Sequence, residues 1–407
     1  MNNYYEVIDS CRLCESKNLQ KILDLKEQPP ANSLYSPDSD APNSVPLELM
    51  FCEKCSAVQL SATVDPAYLF TKYVWVTGTS KTAIDYSKIF AENALKRCSS
   101  DCPSVLEIAS NDGTFLKKFY EYGCNVLGVD PARNIAEEAN QQGIPTLANF
   151  FNLDLAKSIE KDGKKDIIFA RNVLPHVKEI LSVIQGIKIL LKDGGLGIIE
   201  FHDAGLILEE LHYDSIYHEH LFLLSLKTLA TLLSSNDLYV FDILKSPISG
   251  GSWVVYFSNK KKEKSKDLLA AEKRDENSGL NTLNRWKEFG QRAIKHAIEL
   301  RKIIDQQKGK IIAYGASARS STLLNFCGLS NKNISAIIDK NPLKHGLLTP
   351  GSNIPIISYD EFLQNIGNTD TILLLAWNFE EEIIRDLRQD GFMGEFIVPL
   401  PYKVHKK

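Results

Sequence analysis

Imidazole side chains suited to proton transfer concentrate in one short stretch of the 407-residue chain. Half of the eight histidines fall within it, namely His202, His212, His218 and His220. A histidine with a near-neutral pKa can remove a proton from a carbon next to a carbonyl, and a tyrosine or second histidine can stabilise the resulting enolate. We therefore expect residues 213–220, Tyr-Asp-Ser-Ile-Tyr-His-Glu-His, with His176 upstream, to carry carbon-activating chemistry.

Two other interpretations of these histidines stand beside this one. The stretch could be an exposed His-rich loop, since a lone histidine is usually structural, or His218 and His220 could belong to a second metal site. In a doubly wound sheet, however, the carboxyl ends of the strands face the ligand crevice. Because the stretch follows the strand predicted at 196–201, we favour convergence of this histidine cluster and His176 on a substrate.

A turn in the first half of the chain predicts a cofactor site. Residues 105–115 read as a strand, a small polar turn and a helix start, with candidate binding residues Glu107, Ala109, Ser110, Asn111 and Gly113. Such a turn brings backbone N–H groups and a helix N-terminus against a ligand. Asp130 ends the next predicted strand, where its carboxylate can accept both ribose hydroxyls. Asn172 follows the strand predicted at 166–169.

This pattern suits an adenosine with a cationic methionine tail, so we predict S-adenosylmethionine as the cofactor. The GxGxxG loop of nicotinamide sites is absent from the turn. The alternative is a Rossmann-like half with a vestigial pocket.

Two CxxC pairs predict a structural zinc site. Cys11 and Cys14 form the first pair, and Cys52 and Cys55 form the second. Four thiolates complete the tetrahedral shell that structural zinc prefers and leave no open position for catalysis. The alternative is two unrelated buried pairs. The other four cysteines show no pairing pattern, which favours a reducing compartment.

Composition and charge favour a multi-domain cytoplasmic enzyme. At about 150 residues per domain, the chain of 407 residues fits two or three domains. Its net charge of −4 provides no global field for binding phosphate backbones, so nucleic acid is not an expected partner. The N-terminus lacks a signal-peptide pattern and the apolar runs fall short of the roughly 20 residues that span a bilayer, so no membrane association is expected.

Short apolar runs separated by helix-length amphipathic stretches predict α/β architecture. Strands are expected at 104–108, 125–129, 166–169, 196–201, 239–244 and 253–258. A charged stretch at 260–277 then leads into a connecting helix at 280–307. Further strands are expected at 310–314, 334–338, 371–376 and 395–399. This alternation is typical of doubly wound, mostly parallel sheets.

Three domains follow from this pattern. We predict a small zinc-binding module at 1–68, a Rossmann-like class I S-adenosylmethionine-dependent methyltransferase domain at 69–285 and a second Rossmann-like domain at 286–407. In the last domain, Tyr-Gly-Ala-Ser-Ala-Arg at 314–319 could bind an anion through backbone amides and Arg319, or this half could be a scaffold that shapes the cleft. The turn at 249–252 could approach a sugar or phosphate, or could be a plain hairpin turn.

These motifs together resemble the sugar C-methyltransferases, the three-domain family that methylates a carbon of nucleotide-linked 4-keto-deoxysugars in antibiotic and surface-polysaccharide pathways. The likeness covers nearly the whole chain. It rests on the paired CxxC motifs, Glu-Ile-x-Ser-Asn-Asp-Gly at 107–113, Asn-x-Leu-x-His at 172–176, Tyr-His-Glu-His at 217–220 and Tyr-Gly-Ala-x-Ala-Arg at 314–319.

The resemblance implies roles for individual residues. It implies that His220 is the general base that removes the proton next to the keto group. Tyr217, Glu219 and His176 are then expected to position that base and the enolate oxygen, while Tyr73 lines the same cleft. The resemblance also implies that the four CxxC cysteines bind structural zinc and that the C-terminal domain helps hold the nucleotide-sugar.

Two departures from the family pattern bear on the identity of the sugar and of the methylated carbon. Ser249 stands where the family often has a histidine, and Trp75 stands where it often has a second tyrosine. We expect a monomeric enzyme that methylates a nucleotide-linked 4-keto-deoxysugar, at C-3, through a His-generated enolate. The rivals are an O- or N-methyltransferase on the same scaffold and a non-catalytic zinc-bearing binding protein.

Overall fold

A computed structural model of the chain describes residues 4–70, 76–246 and 251–405. Tyr73, Trp75 and Ser249 lie outside the described residues, so the predictions made for them stay predictions. Among the described residues, no helix is long and apolar enough to cross a membrane.

The N-terminal module is built mainly from antiparallel strands. Its elements are β1 (Tyr5–Val7), β2 (Leu19–Gln28), β3 (Val45–Cys52), β4 (Val58–Leu60), β5 (Ala62–Val64) and α1 (Pro66–Phe70). The strands β2, β3 and β4 form one sheet, and β1 pairs with β5. In β3 alternate side chains are buried because one face of the sheet packs on the core: Val45, Leu47, Leu49 and Phe51.

The central part is a seven-stranded sheet flanked by helices. The elements of this part are α2 (Lys81–Leu95), β6 (Ser104–Ile108), α3 (Thr114–Glu121), β7 (Asn125–Asp130), α4 (Arg133–Gln141), β8 (Thr146–Ala148), α5 (Leu153–Glu160), β9 (Lys165–Arg171), α6 (Ile180–Leu190), β10 (Leu191–His202), α7 (Ala204–Glu209), β11 (Phe222–Leu223), α8 (Leu226–Ser234), β12 (Tyr239–Ser246) and β13 (Ser252–Ser258). The strand β11 lies outside the seven-stranded sheet and pairs with β4 of the N-terminal module.

The strand order of this sheet places the ligand crevice. The order is β12-β13-β10-β9-β6-β7-β8, in which β13 runs antiparallel to β10 and the strands β6 to β10 pair in parallel. From β6 the chain winds to one edge and then returns through β9 to the other edge, so the order reverses between β6 and β9. Ligands of such sheets bind at the carboxyl ends of the strands at this reversal point.

The C-terminal part forms a second sheet of six strands. Its elements are α9 (Lys266–Asn277), α10 (Leu283–Asp305), β14 (Ile311–Tyr314), α11 (Ala318–Phe326), β15 (Ile337–Ile338), β16 (Ile356–Ile357), α12 (Tyr359–Leu363), β17 (Thr371–Leu374), α13 (Glu380–Gln389), β18 (Glu395–Val398) and β19 (Lys403–His405). The order β16-β15-β14-β17-β18-β19 reverses between β14 and β17. The predicted fold of two Rossmann-like sheets behind a small module is therefore confirmed.

The charged stretch before the connecting helix contains a helix that the sequence analysis missed. The helix α9 is capped by Ser265, whose side chain accepts the backbone N–H of Leu268. Its buried residues are Leu268, Ala271 and Asp275. The charged residues occupy the remaining faces, and they hid the narrow apolar stripe that packs this helix on the sheet.

One hydrophobic core joins the N-terminal module to the C-terminal sheet. Trp286 and Phe289 of α10 are buried in the same cluster as Leu23 of β2 and Leu373 of β17. Gly290 lets α10 approach this closely, because a Cβ at that position would collide with the backbone carbonyl of Ile22. The module is thus packed against the rest of the chain.

We predict that Gly290→Ala destabilises the protein, although the same change in an ordinary helix interior gains about 1 kcal/mol. The collision with the Ile22 backbone should outweigh that gain at a cost of about 1–3 kcal/mol. Gly367→Ala is the matched control, since nothing lies within 4 Å of a Cβ there. Urea unfolding measures both changes, and equal stability of the two variants would contradict the packing described.

Candidate active site

Hydrogen bonds fix which nitrogen of His220 carries its proton. Nδ1 lies 2.7 Å from the backbone carbonyl of Ser215. A carbonyl can only accept, so Nδ1–H is the donor. Nε2 lies 2.7 Å from the hydroxyl of Tyr217 and, in the neutral ring, accepts its hydrogen. The geometry therefore assigns His220 the tautomer whose basic lone pair is on Nε2.

The surroundings of His220 keep its imidazole neutral. Burial lowers the pKa of His220 well below its usual range, and the neighbouring His176 adds to this shift. The ring centroids of the two histidines are 4.8 Å apart. Burial also lowers the pKa of His176 to about 4, against the raising effect of the backbone carbonyls of Glu219 and Asn172. Two uncharged imidazoles thus face each other near neutral pH.

One polar atom of this group has no protein partner among the described residues. The Nδ1 atom of His176 is buried and has no hydrogen-bond partner among the described residues. Buried polar atoms without a partner are uncommon in native structures. The Tyr217 ring lies over His220 with 3.9 Å between centroids, so its hydroxyl sits beside the basic nitrogen. An oxygen-bearing substrate would satisfy His176.

Glu219 belongs to the same motif, but its carboxyl group contacts the N-terminal module. Its Oε1 accepts a 2.6 Å hydrogen bond from the side-chain amide of Asn32. Burial raises the pKa of Glu219 to about 7, and the hydrogen bond from Asn32 opposes this rise. The structure therefore brings His220, Tyr217 and His176 together, while Glu219 links their segment to the module.

The two alternative interpretations of the histidine-rich stretch do not fit the structure. His218 is buried, and its Nε2 hydrogen bonds the carbonyl of Val45 at 3.2 Å. That partner makes His218 a structural residue rather than part of an exposed loop. In the described ranges, the only cluster of three or more ligating side chains close enough to share a metal ion is the set of four cysteines.

Sequence reasoning missed a buried ion pair beside this cluster. The Asp214 carboxylate is 1% exposed and accepts hydrogen bonds from the Nε and Nη2 atoms of Arg319 at 3.1 and 3.0 Å. It also accepts one from the indole N–H of Trp377 at 2.9 Å. Arg319 is a candidate anion-binding residue of the sequence analysis. In the structure it pairs with the carboxylate of Asp214, which precedes the Tyr-His-Glu-His motif. The two residues are 105 positions apart, which no local pattern reveals.

The predicted cofactor turn has the backbone shape that close ligand approach requires. Ala109, Asn111 and Gly113 all adopt positive φ, at 56°, 51° and 76°. Asp130 supports the turn, because its Oδ2 accepts the backbone N–H of Asn111 at 2.8 Å and its Oδ1 accepts that of Ala132 at 2.9 Å. Each carboxylate oxygen keeps a second lone pair for a ribose hydroxyl.

Buried polar atoms at this turn have no protein partner. Among the described residues, neither Oε2 of Glu107 nor Oγ of Ser110 makes a hydrogen bond. Burial raises the pKa of Glu107 well above its usual range, which Arg171 partly offsets. Asn172, with φ of 50°, follows β9 on the other side of the reversal point. These residues fit an adenosyl ligand, because its hydroxyl and amino groups would satisfy both atoms.

The sulfurs of the four cysteines form a compact cluster. All four sulfurs lie within 4.8 Å of one another. The sulfurs of Cys11 and Cys55, and those of Cys14 and Cys52, are 3.6 Å apart. A tetrahedral zinc with bonds of about 2.3 Å holds its sulfurs about 3.8 Å apart. The donor set and its spacing fit structural zinc, as predicted.

Family models match three successive parts of the chain. Residues 11–70 match "Putative zinc binding domain", residues 81–242 match "Methyltransferase domain" and residues 247–401 match "C-methyltransferase C-terminal domain". C-methyltransferase NovU of Streptomyces niveus is 30% identical over 416 residues, which cover 98% of this chain and 97% of NovU. The chain belongs to the C-methyltransferase family.

The protein is accordingly an S-adenosylmethionine-dependent C-methyltransferase with a zinc-binding N-terminal module. Among solved structures, magnesium protoporphyrin IX methyltransferase from Synechocystis with bound SAM is 14% identical, with a TM-score of 0.33 over 44% of this chain and 78% of that one. The CcbJ methyltransferase from Streptomyces caelestis is 14% identical, with a TM-score of 0.34 over 42% and 90%.

We predict that Cys52→Ser abolishes zinc binding, because three thiolates and a hydroxyl no longer complete the site. Metal analysis of the purified protein should find about one zinc per wild-type chain and almost none in the variant. The melting temperature should fall by roughly 5 °C or more, since metal binding contributes to folding free energy. Cys102→Ser, at an exposed cysteine, is the control. Full zinc content in Cys52→Ser would exclude the tetrahedral site.

We also predict that Asp130→Ala weakens S-adenosylmethionine binding about 10-fold or more, because the ribose acceptor and the support of the turn are both lost. Asp339 is the matched control in the second sheet, where it accepts the backbone N–H groups of Ala316 and Asn341, both at 2.9 Å. Titration calorimetry should give an unchanged affinity for Asp339→Ala. If Asp339→Ala weakened S-adenosylmethionine binding more than Asp130→Ala, the cofactor would bind at the C-terminal sheet and the prediction would be wrong.

Proposed function

We propose that this enzyme methylates the carbon next to the keto group of a nucleotide-linked 4-keto-deoxysugar, at C-3. The observation that carries the proposal is the neutral His220 with its lone pair on Nε2, packed beside His176 and Tyr217. Such a base can take a proton from carbon only when that proton is acidified by a neighbouring carbonyl. The resemblance to sugar C-methyltransferases supports a keto-sugar as the source of that carbonyl.

The cofactor turn supplies the other reactant. We propose that it binds through Glu107, Ala109, Ser110, Asn111, Gly113, Asp130 and Asn172. S-adenosylmethionine supplies an electrophilic methyl group and leaves as S-adenosylhomocysteine. The residues of the turn lie at the carboxyl ends of β6 and β7, and the histidines follow β9 and β10. Because all these strand ends meet at one edge of the sheet, the two reactants face each other across the crevice.

Proton removal requires Tyr217 to exchange one hydrogen-bond partner for another. Nε2 of His220 takes the proton, and the electrons of the broken C–H bond form the enolate. The Tyr217 hydroxyl, which bonds Nε2 in this structure, then has the enolate oxygen as its acceptor. His176, whose ring lies 4.8 Å from that of His220 and whose Nδ1 has no partner among the described residues, can accept a hydrogen bond from a sugar hydroxyl. We propose that Glu219 holds the segment in place and that Tyr73 lines the sugar cleft.

The cleft excludes water from the enolate and orients its carbon. An enolate can react at oxygen or at carbon, and the outcome depends on how the two reactants are held. Reaction at carbon would require the rings of His176, Tyr217 and His220, which pack against one another, to hold the sugar in register with the methyl donor. In an O- or N-methyltransferase on the same scaffold, His220 would instead deprotonate a hydroxyl or an amine, so the atom that carries the methyl group in the product separates the two functions.

We predict that wild-type enzyme transfers a ¹³C-labelled methyl group to carbon when it is incubated with labelled S-adenosylmethionine and a panel of nucleotide-linked 4-keto-deoxysugars. Product NMR should show a C–CH₃ group, and His220→Asn should lower kcat by about 100-fold or more. His405→Asn is the matched control, because His405 pairs with Glu380 and is far from His220 in the sequence. An O–CH₃ or N–CH₃ product would overturn the proposal.

A further inference from the structure

The carbonyl that fixes the His220 tautomer lies between two residues held by the C-terminal domain. Ser215 is preceded by Asp214, which binds Arg319 through two parallel hydrogen bonds. It is followed by Ile216, whose backbone carbonyl accepts a 3.0 Å hydrogen bond from the Thr322 hydroxyl. Arg319 and Thr322 are on α11, one turn apart. A single helix of the second sheet therefore holds both sides of Ser215.

These contacts are of the kind that holds a segment rigidly. Asp214, Ile216 and Thr322 are all at most 1% exposed, so water cannot replace their partners. A buried carboxylate with a bidentate guanidinium partner has a defined orientation as well as a strong attraction. Loss of such a partner leaves an uncompensated buried charge, which is costly. The start of α11 is itself fixed by a reciprocal capping box between Ser317 and Ser320.

A third contact ties the same segment to the C-terminal domain. The hydroxyl of Tyr213 lies 2.9 Å from Nδ1 of His296 on α10. The Nε2–H group of His296 donates to the carbonyl of Pro399 at 2.8 Å, so Nδ1 is the acceptor from Tyr213. The residues that precede Ser215 are thus anchored at successive positions to one domain.

We propose that α11, through Arg319 and Thr322, is the positioning element of the catalytic base. It fixes the Ser215 carbonyl, which holds the proton of His220 on Nδ1 and leaves Nε2 basic. The role of this geometry in proton removal rests on the function proposed above, whereas the control of the tautomer does not. The carboxyl-terminal domain then acts on the reaction without touching the reacting carbon, and Arg319 and Thr322 are positioning residues.

Two separate substitutions test this proposal. Thr322→Val keeps the shape of the side chain and removes only the hydrogen bond to Ile216. Arg319→Lys keeps the positive charge beside Asp214 and removes the bidentate geometry. Thr369→Val and Arg285→Lys are the matched controls, because the hydroxyl of Thr369 has no partner among the described residues and Arg285 pairs with Glu288 on its own helix.

The first readout is the tautomer of His220, which needs no substrate. Proteins with ¹⁵N-labelled histidine are compared by NMR, and the His220 signals are identified by their absence in His220→Asn. We expect wild type and both controls to show a neutral ring protonated on Nδ1. In Thr322→Val and Arg319→Lys we expect a mixture of the two neutral tautomers. Wild-type signals in both variants would overturn the proposal whatever the substrate of the enzyme is.

The second readout is kinetic. With an active keto-sugar substrate, kcat should fall about 10- to 100-fold in each variant, because small misplacement of a reacting group is costly. KM for the sugar and the affinity for S-adenosylmethionine should stay near wild type, which shows that the fold is intact. An altered KM with unchanged kcat would assign α11 to sugar binding and contradict a positioning role.

Discussion

The hydrogen bond from Nδ1 of His220 to the carbonyl of Ser215 is the interaction on which the proposed chemistry depends. A neutral imidazole has one basic nitrogen, and this bond decides that it is Nε2, the atom beside Tyr217. The buried setting keeps the ring uncharged, so a base is present at neutral pH without a carboxylate partner. The usual orienting acid of a histidine base is replaced here by a backbone carbonyl.

A backbone carbonyl orients a base only if its own segment is held still, and all three parts of the chain contribute to that. The N-terminal module binds Glu219 through Asn32 and pairs β4 with β11, directly after the segment. The C-terminal sheet binds Asp214 through Arg319. The zinc cluster therefore stabilises the module that supports the segment, while the central sheet carries the cofactor turn. Residues from all three parts of the chain are therefore needed to hold this segment beside the cofactor turn.

Much of this arrangement could be predicted from the sequence, because it is written in local patterns. The CxxC spacing gave the zinc cluster, and alternating apolar runs gave both sheets. The contacts of the segment could not be predicted in the same way: Asn32 and Glu219 are 187 positions apart, and Asp214 and Arg319 are 105 apart. Such pairs are set by how the parts of the chain pack. The sequence analysis also missed α9, because its charged residues outnumber the few apolar residues that it buries.

The most direct test of the central claim is hydrogen exchange at the sugar carbon in deuterated water, without methyl donor. If His220 is the base, wild-type enzyme with a bound keto-sugar should incorporate deuterium next to the keto group, and His220→Asn should not. Exchange that persists at the wild-type rate in His220→Asn would contradict the account, because another group would then be removing the proton.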